Sequence, residues 1–140
     1  MSGEENLELA LRYYAECADD DGDPEKKRAV GAADRLIADD FAMYYNNADE
    51  QDADRGRDAH KQFLFRHTAA FPGERWTIEA AVADNDTVAC RWHLTCTHAE
   101  TGNAIDLRAA DFWTVRNGRL AVLHRFLDFR DLDEQRTASR

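Results

Sequence analysis

The residues best suited to chemistry lie on a strand-like segment, TVACRWHLTCT, at residues 87–97. Its polar and apolar side chains alternate, and a period of two places the two sets on opposite faces of a sheet. The polar set includes Arg91 and His93, and a histidine exchanges protons near neutral pH. An arginine on the same face favours the neutral imidazole that a base needs, so we predict His93 as a catalytic base. The apolar set on the other face is Val88, Cys90, Trp92, Leu94 and Cys96.

A second candidate, Asp111, stands in the apolar segment ADFW at residues 110–113. A buried carboxyl group must be neutralised or paired. The Asn-Gly turn that follows decides its cross-strand partner. A two-residue turn would place Asp111 opposite His124, whereas a three-residue turn with a glycine bulge would place it opposite Leu123 and diagonal to Arg125.

Helices are predicted to come before these strands in the chain. Apolar residues at helical spacing, Leu7, Leu11, Tyr14 and Ala18, predict a first helix of about 14 residues that stops at the acidic run from Asp19. Asp23-Pro24 supplies an N-cap and a first-turn proline for a second helix, and a third follows Gly56 and ends at Pro72-Gly73. The predicted buried positions are Val30, Ala33, Leu36 and Ile37 in the second helix and Ala59, Phe63, His67 and Ala70 in the third. We assign no function to His60 or His67, which lack a nearby ligand partner in the sequence.

The strands form the second half of the predicted fold. A short extended segment at Phe41–Tyr45 and a polar loop at residues 46–55 come before the third helix. A strand with Trp76, Ile78, Ala80 and Val82 on one face then leads into three long strands between Asp86 and Phe129. Helices segregated onto one face of a curved antiparallel sheet define an α+β fold with a ligand pocket between the layers. We expect one domain over residues 1–136 and a disordered tail at 137–140.

Composition excludes several function classes. A formal net charge of −10 argues against binding to nucleic acid or to an anionic membrane. Three cysteines without metal-ligand spacing predict reduced, partly buried thiols and no metal site. The sequence has neither a signal peptide nor an apolar run of membrane-spanning length, so we expect a cytoplasmic location. Nothing resembles a phosphate loop, and we expect no cofactor.

Two long segments resemble a known superfamily. They are GRDAHKQFLFRHTAAFPGERWTIEAAVADNDTVACRWHLTCTH and ADFWTVRNGRLAVLHRFLDFRDLDEQ. They resemble the nuclear transport factor 2-like superfamily, and within it the SnoaL-type polyketide cyclases and limonene-epoxide hydrolases. The resemblance implies a cone-shaped roll, in which three helices pack on a strongly curved, mainly antiparallel sheet of four to six strands that encloses a pocket. Because this fold hosts many reactions, the fold by itself does not fix the function.

The epoxide hydrolase pattern is only partly present. Its Tyr-x-Asn pair matches Tyr44 and Asn46, and its Arg-x-Asp keeps Arg91 but has His93 in place of the aspartate. The last-strand aspartate, shared with the cyclases as catalytic acid or base, is Arg125 here. Two acids of that mechanism are therefore missing.

The ketosteroid isomerase pattern is also incomplete. Tyr13 and Asp111 resemble the tyrosine and the protonated aspartate of that family's oxyanion hole. The position of the catalytic base falls near residues 45–47, where the sequence has no carboxylate. The resemblance also places Asp111 and Arg125 on the cavity side, which favours the three-residue turn. If Arg125 pairs with Asp111, Asp111 is a structural anchor, and His93 acts as base with Arg125 as electrophile. If Arg125 instead turns to solvent, Asp111 can be neutral and serve beside Tyr13 in the oxyanion hole.

We predict a cofactor-independent enzyme that acts on a small, apolar, ring-containing or polyketide- or terpenoid-like molecule. The reaction would be an isomerisation, cyclisation, dehydration or epoxide opening by acid–base chemistry. The predicted catalytic residues are His93, Asp111 and Arg125, and the predicted substrate-binding residues are Tyr13, Tyr44, Asn46, Arg91 and Trp113.

A homodimer is predicted through the outer face of the sheet. If Arg91 and His93 point inward, the apolar set of the same strand points outward and joins Phe112, His124 and Phe126 in a patch too large to leave in water. The alternative function is a non-catalytic small-molecule-binding or dimerisation module that has lost the family's catalytic acids. An open cavity with polar groups would favour the enzyme, and an interior packed with side chains would favour the alternative.

Overall fold

The computed structural model describes residues 2–48 and 54–138, which form four helices and a six-stranded mixed sheet. The helices are α1 (Gly3–Tyr13), α2 (Lys27–Leu36), α3 (Arg57–Ala70) and α4 (Phe129–Thr137), and a π-helical turn at Tyr14–Ala18 continues α1. The strands are β1 (Ile37–Tyr45), β2 (Asp54–Arg55), β3 (Arg75–Asp84), β4 (Thr87–Thr97), β5 (Ala104–Arg116) and β6 (Arg119–Phe126). The predicted α+β fold is confirmed, with α4 as a helix that the sequence analysis did not predict.

The sheet is open, with the strand order β2-β1-β6-β5-β4-β3. Neighbouring strands are antiparallel except β1 and β6, which run parallel. The three long strands predicted between residues 86 and 129 are β4, β5 and β6. Asn117 and Gly118 both have positive φ and join β5 to β6, as expected for a two-residue hairpin turn.

The first two helices begin with different capping arrangements. Ser2 caps α1 in a capping box with Glu5. The predicted start of the second helix at Asp23-Pro24 is wrong, because α2 begins at Lys27 after Lys26 adopts a left-handed conformation. The Asp23 carboxylate accepts hydrogen bonds from the backbone of Glu25 and Lys27, so it caps a turn that precedes the helix. The buried face of α2 is Ala29, Ala32, Ala33 and Leu36.

The later helices differ from prediction in their buried faces. The buried residues of α3 are His60 and Leu64, while Ala70, a predicted core position, is exposed. The sequence analysis did not predict that His60 is buried, because a polar residue does not contribute to the periodic pattern of apolar residues in a helix. None of the residues of α4 is fully buried, and it packs against β5. Of the predicted tail, Thr137 ends α4 and Ala138 accepts a hydrogen bond from Asn103, while Ser139 and Arg140 lie outside the described residues.

Two β-bulges change which side chains face the helices. Glu79 is the extra residue on β3, because Ile78 pairs with Trp92 and Ala80 pairs with Arg91. The predicted alternation of β3 therefore fails after Ile78, and Val82 is 68% exposed. On β6, Ala121 is the extra residue, since Thr114 pairs with Val122 and Val115 with Leu120.

The apolar face of β4 forms the wall of the core. Val88, Cys90, Trp92 and Leu94 are buried, which confirms their shared face. This face meets the helices, so the prediction that Cys90, Trp92 and Leu94 point outward is wrong. The physical reason is the hydrophobic effect. Because side chains alternate along a strand, either the apolar set or the polar set of β4 faces the helices, and packing the apolar set against the helices removes it from water. Cys17, Cys90 and Cys96 are free thiols, as expected.

Candidate functional site

The centre of the interior is a buried ion pair between neighbouring strands. Asp111 on β5 lies directly opposite Arg125 on β6. Arg125 donates from Nε to Oδ1 at 2.8 Å and from Nη2 to Oδ2 at 2.9 Å, and both side chains are almost completely buried. Burial alone would lower the pKa of Arg125, but the Asp111 carboxylate raises it well above its usual value. Neither predicted partner of Asp111, His124 or Leu123, is correct. The turn has two residues and not the three that the resemblance favoured, and the Ala121 bulge then shifts the register by one so that Arg125 lies opposite Asp111.

The same carboxylate accepts a third hydrogen bond, from Tyr14. The Tyr14 hydroxyl donates to Oδ2 of Asp111 at 2.5 Å and accepts from Nε1 of Trp113 at 2.9 Å. Burial and the Asp111 charge raise the pKa of Tyr14 well above its usual value, so the hydroxyl keeps its proton. Three donors therefore converge on one carboxyl group, which has enough acceptor sites for all of them. Sequence reasoning missed Tyr14 in this role, although its spacing from Ala10 and Ala18 puts it on the inner face of the first helix.

Tyr13 has a different partner from the one predicted. Its hydroxyl lies 2.8 Å from Nε2 of His60 on α3. Burial lowers the pKa of His60 to about 3, so this imidazole is neutral at physiological pH. Tyr13 is buried in the core and does not reach Asp111 as an oxyanion-hole partner.

Two small cavities lie on either side of this polar core. The upper cavity has a volume of about 20 Å³, and its wall includes Trp92, Arg125 and Leu132. The lower cavity has a volume of about 10 Å³ and is lined in part by Tyr13 and Glu74. Each has room for about one water molecule. The residues that line both cavities are His67, Trp76 and Arg125.

The guanidinium of Arg125 is held against aromatic rings. Its Cζ lies 5.0 Å from the ring centroid of Trp76 and 5.3 Å from that of Trp92, which are cation–π distances. Tyr45 lines the upper cavity and lies opposite Arg125 across β1 and β6. Burial raises the pKa of Tyr45, with the Arg125 charge opposing that rise.

A histidine–carboxylate pair lies at the cavity walls, where His67 lines both cavities and Glu74 lines the lower one. Nδ1 of His67 lies 2.7 Å from Oε1 of Glu74, and Nε1 of Trp76 donates to Oε2 of Glu74 at 3.1 Å. Glu74 is 2% exposed. The sequence analysis gave His67 no function, although the Pro72-Gly73 turn could have indicated that the chain folds back and brings Glu74 to this helix.

The sequence model of the SnoaL-like domain family matches residues 10–123. The chain belongs to the SnoaL-like domain family. The family match confirms the predicted membership of the nuclear transport factor 2-like superfamily. No curated protein matches the sequence significantly.

Solved structures with this fold cover almost the whole chain. A protein of Jannaschia sp. CCS1, assigned as a SnoaL-like polyketide cyclase, has a TM-score of 0.82 at 16% identity, over 99% of this chain and 95% of that one. An LEH-like epoxide hydrolase of M. tuberculosis has a TM-score of 0.72 at 14% identity, over 95% and 90%. A protein with a ketosteroid isomerase-like fold from Catenulispora acidiphila, solved with trimethylamine, has a TM-score of 0.73 at 15% identity, over 91% of each chain. At these identities the likeness establishes the fold.

In this SnoaL-like domain, Arg91 and His93 lie on the outer face of the sheet, away from Asp111 and Arg125. His93 lies 2.6 Å from the exposed Asp106 through Nε2, and Arg91 is exposed with its Nε 4.0 Å from Glu79. The predicted convergence of all four residues on one cavity is therefore wrong. Once the apolar set of β4 packs inward, its polar set must point outward.

The remaining predicted binding residues have structural contacts in the SnoaL-like domain. Tyr44 lies on the outer face, where its ring stacks on His124 at 4.8 Å. The Asn46 side chain donates to the carbonyl of Leu127 and accepts from its amide, which fastens the end of β1 to the end of β6. Trp113 is fully buried among aromatic side chains and lines neither cavity.

The described residues contain no group of three or more His, Cys, Asp or Glu side chains that could hold a metal ion. Among the same residues, no helix is both long enough and apolar enough to cross a membrane.

Proposed function

We propose that this SnoaL-like domain binds a small, flat, largely apolar molecule inside the cone and performs cofactor-independent acid–base chemistry on it. The observation that carries the proposal is Arg125, a buried guanidinium that lines both cavities and lies against two tryptophan rings. Flat rings stack on tryptophan, and a fixed guanidinium stabilises negative charge that develops on a substrate oxygen. The structural relatives assigned as a polyketide cyclase and an epoxide hydrolase fit this class of substrate and reaction.

The proposal relies on interior residues alone. Arg91 and His93 are unavailable on the outer face, and Asp111 is occupied by three donors. Arg125 then serves as the electrostatic group and Asp111 as its anchor. The substrate would be ring-containing and polyketide- or terpenoid-like, and the reaction an isomerisation, cyclisation, dehydration or epoxide opening.

Binding of a ring requires the upper cavity to enlarge, because its present volume is about 20 Å³. The element best placed to move is α4. Leu127, just before α4, and Leu132, within α4, both line the cavity, and no residue of α4 is fully buried. Elements with little buried apolar surface open at the lowest cost in free energy.

A pair of substitutions on one strand tests the proposal. Leu107 on β5 lines the upper cavity, and its neighbour Arg108 lies on the outer face. We expect 2-naphthol to quench the tryptophan fluorescence of the wild-type protein and of Arg108→Phe, but not of Leu107→Phe, because the larger ring fills the cavity. Equal quenching in Leu107→Phe and the wild type would place the ligand elsewhere and overturn the proposal. Circular dichroism checks that both variants are folded.

A second candidate function is supported by the small cavity and the ion pair. Side chains fill the interior, and the only last-strand group at the family's catalytic position is an arginine held by Asp111. These features fit a non-catalytic binding or dimerisation module. Absence of any fluorescence response to 2-naphthol, together with a stable dimer, would favour this candidate.

We also propose that the protein is a cytoplasmic homodimer that associates through the outer face of the sheet. Phe112 is 43% exposed and lies beside a shallow depression of about 230 Å³ whose wall includes Ala80, Val82 and Ala110. A protruding ring next to an apolar depression suits a two-fold interface, in which each copy inserts into the other. Phe129 on α4 is equally exposed, at 42%, and provides a matched control.

Sedimentation at micromolar concentration tests the dimer. We expect Phe112→Lys to sediment as a monomer, because a charge in the centre of the interface must be desolvated. Phe129→Lys should sediment like the wild type. A monomeric wild-type protein would refute this interface.

A further inference from the structure

The Glu74 carboxylate fixes the orientation of the His67 ring. Both carboxylate oxygens are engaged, Oε2 by the indole N–H of Trp76 and Oε1 by Nδ1 of His67. An indole N–H only donates, so Glu74 accepts on that side. We assign the Nδ1 proton to the hydrogen bond with Oε1, an assignment that leaves the lone pair of the neutral ring on Nε2.

The Nε2 atom of His67 is not buried, and the residue lines both cavities. Within residues 2–48 and 54–138 this nitrogen makes no hydrogen bond, and it is absent from the four side-chain nitrogen and oxygen atoms there that are both buried and unpaired. The His67 side chain is 25% exposed and lines both cavities. A lone pair held in a fixed direction at a cavity wall is the arrangement that general-base catalysis requires.

Hydrogen-bond donors are present on the other walls of the upper cavity. Trp92 is 1% exposed, lines this cavity, and its Nε1–H is one of the buried atoms that have no partner. A buried donor left unpaired is unfavourable, and a ligand oxygen that accepts from it would remove that cost. Arg125 lines the same cavity with its charge already balanced by Asp111. The wall therefore suits a neutral ligand whose oxygen gains negative charge only during the reaction.

We propose that His67 is the general base of the interior, that Glu74 is its positioning residue, and that the substrate is a neutral, flat carbonyl compound with an acidic C–H bond. Nε2 of His67 takes the proton, and the C–H electron pair moves into the carbonyl group. The oxygen, now negative, accepts from Trp92 and Arg125. Return of the proton to the far carbon of an adjoining C=C bond gives an isomer, and no oxidant or second reactant is needed. The Glu74 carboxylate stabilises the imidazolium while it lasts. This inference rests on the proposed function.

The test uses 5-nitrobenzisoxazole, a flat neutral probe whose ring opens when a base removes its C–H proton. The proton goes to the base, the N–O bond breaks, and a coloured nitrile-phenolate forms. Binding is measured separately, by tryptophan fluorescence. The matched control is His93→Gln, because His93 forms the same kind of carboxylate pair on the outer face, with Asp106 at 2.6 Å.

We expect His67→Ala to bind the probe and to lose turnover on the order of 10²-fold, with activity restored by added imidazole. His67→Gln, which keeps more of the side-chain volume, should lose activity in the same way if His67→Ala does not fold. His93→Gln should match the wild type. Glu74→Gln should reduce turnover and change the His67 ring from one tautomer to a mixture, as measured by nitrogen NMR, whereas a merely structural role would leave the tautomer unchanged.

The outcomes separate the two proposals. Failure of the wild type to bind the probe overturns the proposed function, and this inference with it. Binding without turnover, or turnover unchanged in both His67 variants, overturns the role of His67 and leaves interior binding intact. A single-tautomer His67 in Glu74→Gln overturns the positioning role of Glu74.

Discussion

The two faces of the β4–β5–β6 sheet each carry a basic side chain paired with a carboxyl group, in opposite environments. On the inner face, Arg125 and Asp111 are joined at 2.8 Å and exclude water almost completely. On the outer face, His93 and Asp106 are joined at 2.6 Å, but the Asp106 side chain is 62% exposed. Because solvent screens the outer pair and not the inner one, similar distances correspond to very different energies.

The same comparison distinguishes the histidines of the interior from the histidine on the outer face. The interior His60 and His67 each have one ring nitrogen fixed by a buried neighbour, Tyr13 and Glu74 respectively. The outer His93 has an exposed carboxylate as partner. A fixed ring beside a cavity can support catalysis, whereas a solvated pair on a sheet surface has no substrate site around it.

Breaking the inner ion pair should have the largest effect. Arg125→Met leaves the Asp111 carboxylate buried without its cation, and we expect a loss of about 3–5 kcal/mol in the free energy of unfolding, measured by urea denaturation. Replacing both partners, Asp111→Leu with Arg125→Met, should recover most of that loss. Arg108→Met is the control, since the Arg108 side chain is 59% exposed on the outer face. A cost for Arg125→Met no larger than that of the control would contradict the comparison.

The dependence of the free energy of unfolding on pH below neutrality tests whether His60 is neutral in the folded protein. Its pKa is about 3 in the folded protein against 6.5 for the free side chain, so between these values the unfolded state binds a proton that the native state does not. Stability from this group is therefore present above pH 6.5 and falls by about 1.4 kcal/mol per pH unit as pH drops towards 3. His60→Gln should flatten the dependence of unfolding free energy on pH in this window, and His93→Gln should not. An unchanged slope in His60→Gln would show that His60 is protonated in the folded state.

The outer pair should have the smallest effect. A double-mutant cycle of His93→Gln and Asp106→Asn should give a coupling of about 0–1 kcal/mol at neutral pH, because one partner is largely exposed. The cycle is measured by urea denaturation at low and high salt, and salt should reduce the coupling. A coupling as large as that of the Asp111–Arg125 pair would remove the distinction between the two faces.

Much of the fold was predictable from local pattern. Alternation identified the apolar face of β4, and the Asn117-Gly118 pair identified the β5–β6 turn. The sequence analysis did not predict α4, because none of its residues is fully buried and such a helix gives little periodic signal. The site was less predictable, because the Glu79 and Ala121 bulges change the register without any strong local signature.

The sequence by itself determined that Arg91 and His93 share one face of β4 and that Trp92 and Leu94 share the other, because a strand has a period of two. It also determined that a carboxyl in the segment ADFW needs a partner. Only the tertiary structure decided which face meets the helices, since that depends on what the helices bury. Likewise, only the fold brought Glu74 to His67 and Arg125 to Asp111, because these contacts join elements whose relative positions depend on bulges, turns and packing.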